Sequence, residues 1–264
     1  MGEFPTVGDV ARLMEQLAPE ELKMDWDNVG LQLGERSRKV QKILVTLTVT
    51  PEVAELAAGQ GVDLIVAHHP LIFKPLYHVR TDTYQGALVA FLIRNGIYVY
   101  VSHTNLDIAE QGLNHWLAEA LGLERPEPLL PGPIPGTGLG RIGKISPGKA
   151  EALCDHVQAV LDSPVRLVGP RGLVCEKVAV CGGSGGDLVS AAAEVGAQAL
   201  VTGDVSYHEA LDAVHAGLVV IDAGHHGTEK IMVPKVAAYL RGEMPGVEIL
   251  EAPGLDPFTG CNLQ

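Results

Sequence analysis

Two adjacent histidines stand at the end of a short apolar run, where imidazole chemistry is plausible. His68 and His69 directly follow the apolar residues 64–67 and precede Pro70. Because neighbouring side chains of a strand point to opposite faces, two adjacent imidazoles can serve one small site only where the strand gives way to a loop. Pro70 cannot donate to a central ladder and therefore predicts such a break. The carboxyl ends of parallel strands are where α/β proteins bind ligands, although two unrelated polar residues at a strand end remain an alternative.

A second group of candidate ligands lies near the carboxyl end of the chain. His225 and Glu229 are four residues apart, so a helix beginning there would place both side chains on one face. His226 would then point away from that face and is left out of the candidate site. The spacing therefore predicts one imidazole and one carboxylate that act together.

A third polar segment, residues 102–107, follows another apolar run and supplies His103 and Asp107. Several histidines with an Asp and a Glu suit zinc, manganese, iron, cobalt or nickel, and are too rich in nitrogen for magnesium or calcium. Such a set exceeds what one tetrahedral ion needs, and it can hold two ions about 3.5–4 Å apart. For His103 three roles stay open, namely a metal ligand, a proton-transfer group or a partner of a ligand.

Two glycine-rich segments call for a choice between phosphate binding and a tight turn. Residues 182–186 follow a predicted strand and precede a helix, so their backbone N–H groups could bind phosphate. A tight strand-to-helix turn explains these glycines equally well. Residues 138–144 match the glycine spacing of a nucleotide-binding loop, but we reject this interpretation because no predicted strand precedes them and no predicted helix follows.

The second half of the sequence repeats the order of apolar strands and Ala-rich helices of the first half. The matching segments are 43–46 with 178–181 and 61–69 with 196–204, both 135 residues apart, and 95–103 with 216–224, 121 residues apart. Strands alternating with helices predict an α/β fold. We therefore expect two similar β-α-β lobes related by internal duplication, with a cleft between them that gathers the polar strand ends.

The boundary between these lobes is predicted from a change of composition. Proline and glycine become frequent at about residues 124–148, which favours a linker. We accordingly expect an N-terminal lobe over residues 1–126 and a C-terminal lobe over residues 127–264, with the segment 222–234 returning to the cleft.

The overall composition restricts partners and location. With 19 Lys and Arg against 32 Asp and Glu, the formal net charge is −13, which disfavours broad electrostatic binding of nucleic acid. No apolar run approaches the ~18 residues of a membrane span, so we expect a cytoplasmic protein without membrane contact.

The four cysteines lack Cys-x-x-Cys spacing and are expected to be reduced and buried. They are Cys154, Cys175, Cys181 and Cys261.

Taken together, several motifs resemble one known family. They are Trp26-Asp27-Asn28-Val29-Gly30-Leu31, His68-His69-Pro70-Leu71-Ile72-Phe73, Ser102-His103-Thr104-Asn105-Leu106-Asp107, Thr202-Gly203-Asp204 with His208, and Gly224-His225 with Glu229. In this order they resemble the NGG-interacting-factor-three-like family, whose members are also described as dinuclear metal-centre proteins or type-two GTP cyclohydrolase homologues. The resemblance runs from Val7 to about Pro234. It implies two α/β lobes, a two-metal site in the cleft and a ring-shaped homohexamer.

The resemblance also implies roles for single residues. The metal ligands would be His68, His69, Asp107, His225 and Glu229, with His103 close by. Apart from the resemblance, we expect His103 or another residue of the cleft to act as the catalytic acid–base group. The implied cofactors are two divalent transition-metal ions per chain.

We expect a metal-dependent hydrolase that acts on a nucleotide or phosphoester, similar to a GTP cyclohydrolase. The alternative is a ring-shaped, metal-containing scaffold that binds single-stranded nucleic acid or a protein partner without turnover. Metal storage or delivery is a third hypothesis.

Overall fold

The computed structural model describes residues 4–258, which form two compact units. The first unit contains residues 4–106 and the later segment Met232–Gly254, and the second contains Asp107–Ile231 with residues 255–258. The boundary therefore differs from the predicted division at residues 126 and 127. The first unit is also discontinuous along the chain, which the composition does not reveal.

The first unit consists of a largely parallel sheet with helices. Its helices are α1 (Val7–Leu17), α2 (Pro51–Gln60), α3 (Tyr84–Arg94), α4 (Thr104–Ile108), which crosses the boundary, and α10 (Met232–Glu243). Its strands are β1 (Gly30–Leu33), β2 (Lys42–Thr46), β3 (Leu64–Ala67), β4 (Tyr98–Val101) and β11 (Glu248–Ala252). The sheet order is β1-β4-β3-β2-β11, in which only β1 runs antiparallel to its neighbour.

Local sequence signals explain where the helices of this unit begin. Thr6 caps α1 by accepting a hydrogen bond from the backbone of Asp9, whose carboxylate in turn accepts one from the Thr6 backbone. Thr50 caps α2, which has Pro51 in its first turn and ends at Gly61 in the left-handed region. The strand β3 is buried along its whole length, as its continuous apolar run predicts.

The second unit is built on a mixed sheet. Its helices are α5 (Leu113–Ala120), α6 (Ala150–Leu161), α7 (Val189–Glu194), α8 (Tyr207–Ala216) and α9 (His225–Glu229). Its strands are β5 (Glu124–Pro131), β6 (Gly138–Lys149), β7 (Arg166–Val168), β8 (Val174–Ser184), β9 (Ala199–Gly203) and β10 (Val219–Asp222). The order is β5-β6-β8-β9-β10-β7, with β8, β9 and β10 parallel.

The two sheets share a central topology and register. In the first unit β2, β3 and β4 are adjacent and parallel, and β1 lies antiparallel along β4. In the second unit β8, β9 and β10 are likewise adjacent and parallel, and β7 lies antiparallel along β10. Ile43 pairs with Leu64, and Val178 pairs with Ala199, at the separation of 135 residues found in the sequence. This common register agrees with the predicted alignment of the two halves.

The linker predicted at about residues 124–148 is wrong, because this segment forms the antiparallel strands β5 and β6. The prolines of β5 are compatible with a strand because β5 is the edge strand of its sheet and pairs with β6 alone. Residues 138–144 lie within β6 and therefore form no nucleotide-binding loop. The expectation that no strand precedes them and no helix follows is wrong, because β5 comes before β6 and α6 comes after it.

Three of the four cysteines fall within the described residues, and all three are free thiols. Cys175 and Cys181 are buried and Cys154 is half-buried, while Cys261 lies outside the described residues. Among residues 4–258, no helix combines the length and apolar character that crossing a membrane requires.

Candidate metal centre

In the first unit, three histidines come together at the carboxyl ends of parallel strands. His68 and His69 follow β3, and His103 follows β4. One donor atom from each ring lies within 4.8 Å of the others. The ring centroids are 5.2 Å apart for His68 and His69, 5.1 Å for His68 and His103, and 5.8 Å for His69 and His103. These imidazoles are called the histidine triad below.

Each ring of the histidine triad has its Nδ1 atom held by the protein. His68 is fully buried, and its Nδ1–H donates to the carbonyl oxygen of Ser102 at 2.9 Å. The Nδ1 atom of His69 shares a hydrogen bond of 2.7 Å with the Oγ1 atom of Thr48, which follows β2. Because a carbonyl can only accept, the neutral form of the His68 ring has its proton on Nδ1 and its lone pair on Nε2, the form in which imidazole binds a metal.

The Nδ1 atom of His103 is held by a buried carboxylate. It donates to Oδ1 of Asp27 at 2.9 Å, while Oδ2 of Asp27 accepts from the backbone N–H and the hydroxyl of Thr104 at 3.0 and 2.5 Å. Burial would raise the pKa of Asp27, but the hydrogen bonds from His103 and Thr104 outweigh it and hold the pKa at about 2. Asp27 is therefore an anion at neutral pH.

The donor chemistry of the histidine triad fits a transition-metal ion. Histidine ligands of metals usually donate their second ring N–H to a carboxylate or a backbone carbonyl, which fixes the tautomer and the ring plane. His68 and His103 have those two kinds of partner in this structure. We conclude that the histidine triad can hold a metal ion. For His103 the contact with Asp27 equally suits a proton-transfer group, since a carboxylate at Nδ1 also orients an imidazole that acts through Nε2.

In the second unit, His225 and Glu229 form the pair that their spacing predicts. They lie on α9, where Nε2 of His225 is 3.1 Å from Oε2 of Glu229. On its other side, the Nδ1 atom of His225 donates to Oδ2 of Asp204 at 2.7 Å. The hydrogen bond with Glu229, followed by its charge and that of Asp204, outweighs burial and raises the pKa of His225 to about 9. Because the imidazole of His225 lies between two carboxylates, the electrostatic potential at this position stabilises a positive charge.

The position of Asp204 carries backbone strain. Asp204 directly follows β9 and has a φ of 55°, in the left-handed region that residues other than glycine seldom adopt. Aspartate tolerates this conformation better than most residues. The strained turn lets the Asp204 carboxylate reach His225, as its hydrogen bond shows.

Glycine at position 183 provides the space that Glu229 occupies. Gly183 has a φ of 66°, and a Cβ atom added to it would lie 2.3 Å from Oε1 of Glu229. Three backbone N–H groups of this segment, at positions 182, 183 and 185, are already bonded within the second unit, to the side chains of Asn114, Thr228 and Thr202 respectively. These contacts favour the tight-turn interpretation of residues 182–186 over a phosphate-binding loop.

Asp107 lies near the end of α4, and its charge acts on the same thiol as that of Glu229. Burial, followed by the charges of Asp107, Asp187 and Glu229, raises the pKa of Cys181 far above its usual range. Cys181 is therefore a neutral thiol rather than a thiolate.

The structure thus brings together the predicted residues within each unit. His68, His69 and His103 are grouped in the first unit, and the pair of His225 and Glu229 is formed in the second. Sequence analysis missed the roles of Asp27 and Asp204 as anchors of His103 and His225. Both aspartates stand in the polar motifs quoted above, so an acidic residue beside a turn was the available signal.

Comparisons with known proteins agree with this fold. The family model Duf34/NIF3 (NGG1p interacting factor 3) matches residues 5–254. The GTP cyclohydrolase 1 type 2 homolog of Streptococcus pneumoniae is 38% identical over 237 residues, which cover 88% of this chain and 89% of the relative. The homolog of the same name from Lactococcus lactis is 38% identical over 250 residues, covering 93% and 95%.

A solved structure, that of a Bacillus cereus protein related to NIF3, matches with a TM-score of 0.92 and 28% identity, covering 98% of this chain and all of the other. The family model spans nearly the whole of the described chain, and relatives well above 30% identity cover most of it. The chain therefore belongs to the Duf34/NIF3 family.

Proposed function

We propose that this protein is a metal-dependent hydrolase that acts on a nucleotide or a phosphoester. The observation that carries the proposal is the histidine triad, whose donor atoms lie within 4.8 Å of one another while His68 and His103 are held by a carbonyl and a carboxylate. The relatives named GTP cyclohydrolase 1 type 2 homolog point to the same class of reaction.

Two divalent transition-metal ions per chain are part of this proposal. Their ligands would be His68, His69, Asp107, His225 and Glu229, a set of nitrogen and oxygen donors that suits zinc, manganese, iron, cobalt or nickel. When bound, such ions activate water at neutral pH and polarise the bond that is to be broken.

His103 would move the proton in this reaction. Asp27, which is ionised at neutral pH, accepts the Nδ1–H of His103 and so fixes the ring with Nε2 as its basic atom. The same carboxylate stabilises the imidazolium that forms when Nε2 takes a proton from water. His103 can then return this proton to the leaving group.

Elemental analysis of protein purified without chelator tests the metal site. We expect about two transition-metal ions per chain in the wild type, because the five donors exceed the needs of one tetrahedral ion. The variant His69→Ala should hold fewer ions, whereas His78→Ala, which changes an exposed histidine of a loop, should match the wild type. Folded wild type that takes up no metal from zinc or manganese solutions would overturn the proposal.

Turnover assays test the assignment of His103. The variant His103→Gln should keep the metal content of the wild type and lose about 10²- to 10⁴-fold in kcat, the contribution typical of a general acid–base group. Substrates to be screened are nucleotides and phosphoesters, with release of formate from GTP as the readout for a cyclohydrolase. A variant that retains full kcat would exclude His103 from proton transfer.

A further inference from the structure

Two large aromatic side chains are exposed beside the histidine triad. Trp26 is 57% exposed and Phe73 is 46% exposed, and their ring centroids lie 5.7 Å apart at an interplanar angle of 61°. Trp26 also meets His103 in an edge-to-face contact, with centroids 6.1 Å apart at 71°. Trp26 therefore borders the residue to which we assign proton transfer, and Phe73 lies against Trp26.

These rings stand on backbone that is fixed by hydrogen bonds between two distant segments. Nδ2 of Asn28 donates to the carbonyl oxygen of Ile72 at 2.6 Å, and the N–H of Ile72 donates to Oε1 of Gln32 at 2.8 Å. Asp27, the neighbour of Trp26, is buried and bonded to Thr104. The exposed rings are thus attached to well-anchored backbone rather than to a loose loop.

A fixed, exposed aromatic surface next to a reactive group is suited to one kind of ligand. Planar rings stack on aromatic side chains, and for nucleobases each stacking contact contributes about 1–3 kcal/mol. The net charge of −13 works against a polyanionic ligand such as nucleic acid, which depends on neutralised phosphates for its affinity. A small molecule with one flat ring meets both conditions.

We propose that Trp26 and Phe73 form a stacking surface that binds a planar heteroaromatic ring of the substrate, such as a nucleobase, and places the rest of the molecule at the histidine triad. This inference rests on the proposed function and narrows its substrate class to aromatic heterocycles. It assigns Trp26 and Phe73 a role in binding and leaves proton transfer to His103.

Tryptophan fluorescence provides a direct test, because the sequence has two tryptophans and the other one, Trp116, is only 7% exposed. Zinc-incubated protein would be titrated with guanosine monophosphate and, separately, with ribose 5-phosphate, which lacks the base. We expect saturable quenching by the nucleotide and none by the sugar phosphate. Equal responses to both compounds would overturn the stacking surface.

Variants locate the effect. Trp26→Phe should abolish the quenching signal, and Trp26→Ala should weaken nucleotide binding about 10-fold by calorimetry, which is ~1.4 kcal/mol. Phe73→Ala should weaken binding as well, whereas Tyr77→Ala, which removes an exposed ring of the loop that follows, should not. Unchanged affinity in both Trp26→Ala and Phe73→Ala would contradict the inference.

The outcomes separate this inference from the proposed function. Base-dependent quenching in a protein that holds no metal would refute the hydrolase and keep the stacking surface. A metal-loaded protein that hydrolyses phosphoesters with no preference for an aromatic ring would support the hydrolase and refute the stacking surface. Much tighter, strongly salt-dependent binding of oligothymidine than of thymidine monophosphate would replace the small molecule with single-stranded nucleic acid and overturn the inference.

Discussion

At the scale of single residues, two aspartates orient histidines that lie elsewhere in the chain. Asp27 is 76 positions from His103, and Asp204 is 21 positions from His225. Each accepts the Nδ1–H of its imidazole, which leaves Nε2 of His103 as the basic atom of that ring and places Nε2 of His225 against Glu229. The chemistry of both histidines therefore depends on residues that do not themselves belong to the predicted ligand set.

Replacing Asp27 by Asn should destabilise the protein by about 2 kcal/mol at pH 7, since folding lowers its pKa from 3.8 to about 2. Because folding lowers the pKa of Asp27, its carboxylate contributes its full stabilisation above pH 3.8. This contribution is lost as the pH falls towards 2. Urea unfolding at pH 7 and pH 3 should therefore show a smaller difference from the wild type at the lower pH.

The neighbouring exposed carboxylate provides the control for this comparison. Asp25→Asn should unfold like the wild type at both values of pH. A difference between wild type and Asp27→Asn that grows on acidification would contradict the assigned role of the Asp27 charge.

Gly183→Ala tests the space around Glu229. An alanine at position 183 would have to keep the left-handed backbone conformation, which destabilises the folded state by about 1 kcal/mol. Its methyl group would also clash with Oε1 of Glu229. Gly196→Ala is the matched control, because Gly196 has a φ of 77° with no atom within 4 Å of its added Cβ. We expect both variants to lose stability and only Gly183→Ala to lose metal, as measured by elemental analysis. Equal metal content in the two variants would refute the steric explanation.

Sequence patterns identified the histidines better than their partners, for a physical reason. The positions of His68 and His225 are marked by nearby residues, such as an apolar strand or a helical spacing to Glu229. The contact between Asp27 and His103 arises from packing across 76 positions, and no local pattern contains it. Long-range contacts of this kind need the folded structure.

At the scale of elements, parallel strands were predictable and the second unit's hairpin was not. The apolar runs of β3 and β9 have a buried strand's composition and fold as such. The hairpin of β5 and β6 has the prolines and glycines of a linker, and only its pairing at the sheet edge shows it to be a strand pair. The pairing of β11 with β2 joins residues 248–252 to residues 42–46, which are far apart in the sequence, and leaves no local signal.

Arg141 joins β6 to the residues that follow α4. Its guanidinium is buried and donates to the carbonyl oxygens of Gly138, Gly140, Ala109 and Glu110. Burial lowers the pKa of Arg141 and the charge of Glu110 raises it. The side chain thus satisfies four carbonyls that belong to strand β6 and to the turn after α4.

Replacing Arg141 by Lys should cost about 2–4 kcal/mol, because the compact ammonium group cannot reach four carbonyls and would leave buried oxygens unsatisfied. The free energy of unfolding in urea measures this loss. Arg94→Lys makes the same change at an exposed position in the last turn of α3 and should be nearly neutral. Similar stabilities for the two variants would show that the four contacts of Arg141 contribute little.

At the scale of the whole molecule, we propose the ring-shaped homohexamer that the family resemblance implies. The chain has a mass of 27.9 kDa, so light scattering of the purified protein should give about six times this value. A single species with the mass of one chain would exclude the hexamer. The measurement is best made with and without added zinc, since metal ions stabilise the state that binds them.

The discontinuous first unit has a consequence for the order of events during synthesis. The residues of β2 are synthesised early, but its neighbour β11 leaves the ribosome only after the whole of Asp107–Ile231. Until then one edge of β2 has no strand beside it, and an exposed strand edge can pair with another chain. The second unit can fold before the first is complete, and interrupted translation would release chains prone to aggregation.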